Sequence, residues 1–138
     1  MATVSKLRQS WIYFKRAGIF CCVAHCITTH VVEPVQCRGP SMMPTIEDGD
    51  LFIAEHLSRS LNTIHRKDIV ACRSPIDPNM LVCKRLVAKE GDRLQSSQLS
   101  RVPRGHVWLL GDNSDRSTDS RSFGPVPHGL VSCRLVYR

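Results

Sequence analysis

The chain has 138 residues, of which 42% are hydrophobic and 22% charged, a composition that suits one globular domain with a single core. Its formal net charge of +7 is unevenly distributed, because four cations precede the first acidic residue, Glu33: Lys6, Arg8, Lys15 and Arg16. Since only 6% of residues are aromatic and no basic stripe is interleaved with them, the composition argues against a nucleic-acid-binding surface.

The cysteines and histidines show no metal-site spacing. Seven cysteines is an odd number, and none of them forms a C-x-x-C pair. The six histidines likewise lack an H-x-x-x-H or H-E-x-x-H pattern. We therefore predict no disulfide framework, no metal and no cofactor, and we expect the cysteines to act as buried free thiols.

The N-terminal region combines a basic leader with an apolar run. Residues 1–16 carry cations and no acid, and Ala17–Val32 has no Lys, Arg, Asp or Glu. This order predicts a basic flank followed by a membrane anchor, although a buried amphipathic helix would also fit so short a run. No A-x-A cleavage signal follows it. The predicted division is a leader and anchor over 1–36 and a folded domain over 37–138.

A turn rich in small residues follows the apolar run and presents one serine. In the segment 38–45, RGPSMMPT, glycine and proline fix the backbone path around Ser41, and Pro44 prevents helix continuation. Met42 and Met43 add a pliable apolar surface. A serine in such a turn is a candidate nucleophile only if the remaining chain supplies a base.

Short strand patterns separated by glycine and proline turns occupy most of the remaining chain. They lie at 51–54, 68–72, 80–88, 107–110 and 130–136, with a polar connection over 93–105. Short strands at this spacing predict a small, mainly β fold.

One lysine lies within the longest strand pattern. The period of two residues places Met80, Val82, Lys84, Leu86 and Ala88 on one face. Either that face is solvent-exposed and the lysine reaches an edge, or the lysine is buried. Burial would lower its pKa from about 10.4 and make it a competent general base.

A hydroxyl- and carboxylate-rich loop follows the 107–110 strand pattern, over 111–126. Its acids at 112, 115 and 119 do not fit the EF-hand spacing, which argues against a calcium loop.

Taken in order, these segments resemble the ordered sequence boxes of type I signal peptidases. The matching residues run from about 39 to 136: Ser41-Met42-x-Pro44-Thr45, Gly49-Asp50, Asp68-Ile69-Val70, Lys84-Arg85, Gly91-Asp92, Gly111-Asp112-Asn113, Ser117, Asp119-Ser120-Arg121 and Gly124-Pro125-Val126. The resemblance implies a small antiparallel β fold and a Ser/Lys-dyad protease that cuts sorting peptides from membrane-inserted precursors.

The resemblance also implies a role for each matching side chain. Ser41 matches the nucleophile and Lys84 the general base. The supporting residues follow: Ser117 would orient the lysine, Asp119 and Arg121 would form a structural ion pair, Asp112 and Asn113 would shape the turn, and Met42 would lie near the substrate groove.

The small size and the minimal connection between Asp92 and Gly111 are most similar to the mitochondrial inner-membrane members of the family. That similarity implies a catalytic domain facing the intermembrane space, precursor proteins as substrates, and a homologous second subunit as partner.

Two positions depart from the family pattern. Gly39 stands where some bacterial members carry a serine that donates to the oxyanion, so the second oxyanion donor is left open. Lys67 stands where the family usually has glycine before Asp68, which alters a turn without touching a catalytic role.

Three other readings of the sequence compete with the Ser/Lys peptidase. Ser41 could act with His106 or His128 in a Ser/His/Asp hydrolase, because triads have no fixed order in sequence. A self-cleaving repressor-type protease would share the Ser/Lys dyad but would also need a DNA-binding domain. The third reading is a non-catalytic assembly or recognition subunit.

Overall fold

The computed structural model describes residues 2–94 and 99–137, with side chains described over 11–25, 31–94 and 99–136. The chain divides into two compact units, Met1–Glu33 and Pro34–Arg138, each of which is described by itself. The predicted boundary after residue 36 stays a prediction. The polar connection predicted over 93–105 contains 95–98, which lie outside the described residues, and Arg93 pairs with Arg101 on either side of them.

The N-terminal unit is one helix, α1, over Ala2–His30. It joins the predicted leader and the apolar run into a single element. In the part of the chain that the structure describes, no helix combines the length and apolar character needed to cross a membrane. The anchor predicted over 17–32 includes side chains outside that part and stays a prediction.

The second unit is built on one seven-stranded sheet. Its strands are β1 Val32–Gln36, β2 Leu51–Glu55, β3 Ile69–Arg73, β4 Leu81–Lys89, β5 His106–Leu110, β6 Val126–Pro127 and β7 Val131–Tyr137. The strand order is β1-β2-β7-β3-β4-β5-β6, and the pairs β2/β7, β7/β3, β3/β4, β4/β5 and β5/β6 are antiparallel. The predicted mainly β, antiparallel fold is therefore confirmed.

Short helical segments connect the strands. They are α2 Leu57–Ser60, α3 Ser120–Phe123, and three single 3₁₀ turns at Pro40–Met42, Ser114–Arg116 and His128–Leu130. The first and second of these 3₁₀ turns carry residues of the serine segment and of the hydroxyl-rich loop.

Strand β3 is buried on both faces, which makes it the centre of the core. Val70 and Cys72 pack in a cluster with Leu86, whereas Ala71 packs in a second cluster with Phe52. A strand covered on both sides needs apolar residues at consecutive positions, as β3 has. Each neighbour of β3 can therefore place side chains into either of two apolar environments.

Lys67 occupies the turn before β3 with φ near +77°, a left-handed conformation that L-residues adopt only at a cost. Its N–H donates to the Leu86 carbonyl at 2.7 Å, and its carbonyl accepts from Arg85 at 2.8 Å. The hydrogen bonds therefore hold this backbone in place whatever side chain it carries.

We expect Lys67→Gly to raise the free energy of unfolding by about 0.5–1 kcal/mol, because glycine adopts a positive φ without steric cost. Part of the gain is offset by the greater freedom of glycine in the unfolded chain. Urea unfolding of the native chain, Lys67→Gly and Lys67→Ala measures the effect. Alanine keeps the backbone strain and is expected to stay close to lysine; an alanine variant as stable as the glycine variant would contradict the interpretation.

Candidate active site

Ser41 lies in the loop that connects β1 to β2, residues 37–50, which we name the serine loop. Backbone hydrogen bonds join the two ends of this loop. The Cys37 N–H donates to the Asp50 carbonyl at 2.8 Å, and the Gly49 N–H donates to the Cys37 carbonyl at 2.9 Å. Within the serine loop, Gly39 has φ near +99° and leads into the 3₁₀ turn Pro40–Met42. The turn leaves Ser41 half-buried, while its neighbour Met42 enters the core with only 2% of its surface exposed.

Lys84 extends from β4 to the same point. Its Nζ donates a hydrogen bond to Ser41 Oγ at 2.8 Å, and only 3% of the residue is exposed. Lys84 is paired with Val70 across β3 and β4, so it shares the face of β4 that carries the buried Leu86. Of the two environments that the sequence allowed for this lysine, the structure has the buried one.

The surroundings of Lys84 favour its neutral form. Burial lowers the pKa of the lysine from its ordinary value of 10.5, and the carboxylate of Asp119 acts in the opposite direction. A neutral amine has a lone pair. At a separation of 2.8 Å the Ser41 hydroxyl can then donate its proton to Lys84, which is the geometry a general base requires.

The turn that follows β5, residues 111–113, also contacts Ser41. The Asn113 N–H donates to the Ser41 carbonyl at 3.0 Å. Gly111 lies so close that a Cβ built on it would stand 2.5 Å from the Ser41 carbonyl oxygen and 2.5 Å from Ser117 Cβ. Only glycine fits there, because real Cβ atoms do not approach other atoms so closely.

The buried carboxylate of Asp119 fixes the 111–113 turn by a hydrogen bond to its backbone. Asp119 has no exposed surface, and its carboxylate accepts from the Gly111 N–H at 2.9 Å and from the Arg121 guanidinium at 2.7 and 2.9 Å. Burial opposes ionisation, but the Arg121 guanidinium and the two backbone N–H groups of Gly111 and Arg121 outweigh it and lower the pKa of Asp119 to about 2. Asp119 and Arg121 thus form an ion pair next to the turn, and the structural role that the resemblance implies for this pair stays a prediction.

A second ion pair, which sequence reasoning missed, ties β4 to the same turn. Arg85 Nε donates to Asp112 at 2.8 Å, and a second guanidinium nitrogen donates to the other carboxylate oxygen at 2.5 Å. Arg85 follows Lys84, so it projects to the opposite face of the strand. The alternation of side chains was visible in the sequence, but the partner 27 residues away was not.

The Ser117 hydroxyl is buried next to Gly111 and lies close enough to the Asp119 carboxylate to help lower the pKa of that group. Its implied role in orienting Lys84 stays a prediction.

A mainly apolar cavity of about 600 Å³ opens beside Ser41. Met42, Ile46, Val82 and Phe123 are among the residues that line it. Its described lining contains no histidine, and His106 and His128 line a separate cavity of about 400 Å³. The Ser/His/Asp alternative therefore lacks a histidine in the cavity of Ser41.

Comparison with known proteins gives one matching family and several related chains. The model of the family described as signal peptidase, peptidase S26, matches residues 10–100 and 94–137. Mitochondrial inner membrane protease subunit 1 of Mus musculus is 45% identical, with 91% of this chain and 81% of that protein aligned. The corresponding figures are 42%, 86% and 77% for mitochondrial ATP-independent inner membrane protease subunit 1a of Arabidopsis thaliana.

Subunit 2 of the mitochondrial inner membrane protease of Mus musculus is also similar, at 35% identity over 94% of this chain and 82% of that protein. Among solved structures, a signal peptidase I from Enterococcus faecalis V583 aligns with a TM-score of 0.47 and 27% identity, covering 53% of this chain and 97% of that one.

Proposed function

The chain belongs to the signal peptidase S26 family, a family of serine endopeptidases, and from that membership we propose that it is a Ser/Lys-dyad endopeptidase with Ser41 as nucleophile and Lys84 as general base. The observation that carries the proposal is the 2.8 Å separation of Lys84 Nζ from Ser41 Oγ, with the lysine almost fully buried. No histidine is needed, because a desolvated lysine supplies the base.

The reaction follows from this geometry in two steps. Ser41 Oγ attacks the scissile carbonyl carbon while Lys84 Nζ takes the hydroxyl proton, and Lys84 then protonates the leaving amine as the acyl-enzyme forms. In the second step a water molecule attacks the ester, with Lys84 accepting its proton. The released acid is the sorting peptide, and Ser41 is regenerated.

The oxyanion of the tetrahedral intermediate needs donors near Ser41. We assign the Ser41 N–H as one of them, an interaction whose loss typically costs about 10²–10³ in rate. Gly39 is a poor source for the second, because it has no side chain and its N–H already donates to Asp48 at 2.7 Å. The second donor is therefore a group other than Gly39.

The mainly apolar cavity beside Ser41 suits the residues of an extended peptide next to the cut. Met42 supports this role, since it lines the cavity directly beside the nucleophile.

The names of the relatives support a proposal for the location and the partners. Those proteins are inner membrane proteases of mitochondria with numbered subunits. We assign this chain to the mitochondrial inner membrane, with the peptidase unit on the intermembrane-space side, because the charge-asymmetry rule expects a basic leader sequence to stay on the matrix side. Its substrates are precursor proteins with sorting peptides, and a homologous second subunit is its partner.

The test is cleavage of a membrane-inserted precursor by the full chain in detergent, with and without the second subunit. We expect one cut at the end of the sorting peptide by the native chain and no product from a Ser41→Ala chain at equal folded amount. If the native chain and the Ser41→Ala chain support the same cleavage in the presence of the second subunit, this chain is a non-catalytic subunit.

A further inference from the structure

Two cysteines meet in the wall of the cavity. Cys37 Sγ and Cys83 Sγ lie 3.5 Å apart, although the residues are 46 positions apart in the chain. Cys37 is 5% exposed and belongs to the core cluster that contains Met42 and Phe52, and Cys83 packs against that cluster. Both residues also line the cavity of about 600 Å³ that contains Ser41, so a small reagent can reach the pair.

The pair joins the two segments that carry the catalytic side chains. Cys37 lies four positions before Ser41, where its backbone hydrogen bonds to Gly49 and Asp50 close the serine loop. Cys83 immediately precedes Lys84 in β4, and its side chain points to the opposite face of the strand. In the described residues the two segments also meet through the Lys84–Ser41 hydrogen bond. A covalent bond at this point would connect them independently of the dyad.

We propose that Cys37 and Cys83 form a redox site, in which oxidation to a disulfide links the serine loop, which carries Ser41, to β4, which carries Lys84. The oxidant is a small disulfide such as oxidised glutathione. The two thiols lose their protons and two electrons, one S–S bond forms between Cys37 and Cys83, and the S–S bond of the oxidant is reduced to two thiols. The sulfur atoms need to approach by about 1.5 Å to reach a bond length of about 2.05 Å.

The environment of the pair determines how fast it reacts. Burial raises the pKa of both thiols above the ordinary value, so few thiolates exist at neutral pH and exchange in the folded chain is slow. Once formed, the disulfide closes a long loop, and such cross-links commonly stabilise the folded state. Oxidation is therefore expected to raise the melting temperature by on the order of 10 °C.

The experiment uses the full chain with Ser41→Ala, and with Cys21, Cys22 and Cys26 changed to serine. The Ser41→Ala change makes the result independent of proteolysis, so the disulfide is tested separately from the proposed function. The chain is refolded in detergent in a mixture of oxidised and reduced glutathione, so that buried thiols equilibrate, and free thiols are then alkylated. We expect a peptide joining residues 37 and 83 in the mass spectrum and the higher melting temperature in the oxidised sample.

Two variants serve as controls. Cys83→Ala should abolish both the cross-link and the difference in melting temperature between oxidised and reduced samples, and Cys37→Ser provides the same test if that variant does not fold. Cys72→Ala, at a buried cysteine in the other core cluster, should retain both.

Three outcomes overturn the proposal. They are the absence of a 37–83 cross-link at equilibrium with excess oxidised glutathione, a cross-link from Cys83 to Cys133 instead, and a 37–83 cross-link that leaves the melting temperature unchanged or lowers it.

Discussion

Lys84→Met is expected to lower kcat/KM for precursor cleavage by about 10³-fold or more, because it removes the only group placed to take the Ser41 proton in the described site. Methionine retains the length of the lysine and suits a site beside Val70 and Leu86. The fold should therefore survive, so that the loss reports chemistry rather than unfolding. The measurement is kcat/KM with a precursor, at protein concentrations corrected for the folded fraction.

Lys89→Met is the matched control for this change. Lys89 lies on the same strand, β4, but lines the separate cavity of His106 and His128. This control should cleave at close to the native rate. Cleavage by Lys84→Met within a few-fold of the native rate would remove Lys84 from the mechanism.

Gly111→Ala is expected to destabilise the chain by about 1–3 kcal/mol and to lower kcat/KM by about 10²-fold. The new methyl group would stand 2.5 Å from the Ser41 carbonyl oxygen, so either the serine loop or the 111–113 turn has to move. Both turns are fixed by hydrogen bonds, the first through Asn113 and the second through Asp119, and neither shifts freely. Urea unfolding and cleavage kinetics measure the two effects.

Gly129→Ala distinguishes this steric effect from the general cost of replacing a glycine. Nothing lies within 4 Å of a Cβ built on Gly129, so we expect stability and kcat/KM close to native. A Gly111→Ala chain that behaves like Gly129→Ala would show that the close approach of the two turns is not needed for the site.

The strands that the sequence predicted are those with apolar residues between clear turn signals. β2 to β5 and β7 appear at the predicted places, with each end shifted by at most one residue. The strands that the sequence analysis missed, β1 and β6, both contain a proline and lie at the two edges of the sheet, where a missing N–H costs no ladder hydrogen bond. A pattern search that treats proline as a strand breaker therefore loses them.

The pairing of Ser41 with Lys84 could be predicted only through the family resemblance. The period of two residues identified the face of Lys84, but not whether that face was covered. The burial of Lys84 depends on β3, whose two faces are both packed, and on the serine loop. Ser41 in that loop is 43 residues away from Lys84 in the chain. Local pattern gives no information about such distant contacts.

The cysteines show the same limit. Cys37, Cys72 and Cys133 are buried and form no disulfide, as predicted, and Cys83 is half-buried. Cys21 and Cys22 are exposed on α1, and the Cys26 side chain lies outside the described residues. No spacing rule indicated that Cys37 would meet Cys83, because the contact arises from the approach of the β1–β2 connection to β4.

The pH dependence of kcat/KM tests the Ser/Lys mechanism most directly. Burial lowers the pKa of Lys84 below 10.5, and the neutral form is the active one. Activity should therefore rise with increasing pH up to that lowered pKa and then level off. The profile should be unchanged in His106→Gln and His128→Gln chains, whose histidines lie outside the cavity of Ser41. An alkaline limb that either histidine variant abolishes would contradict the assignment of Lys84 as the base.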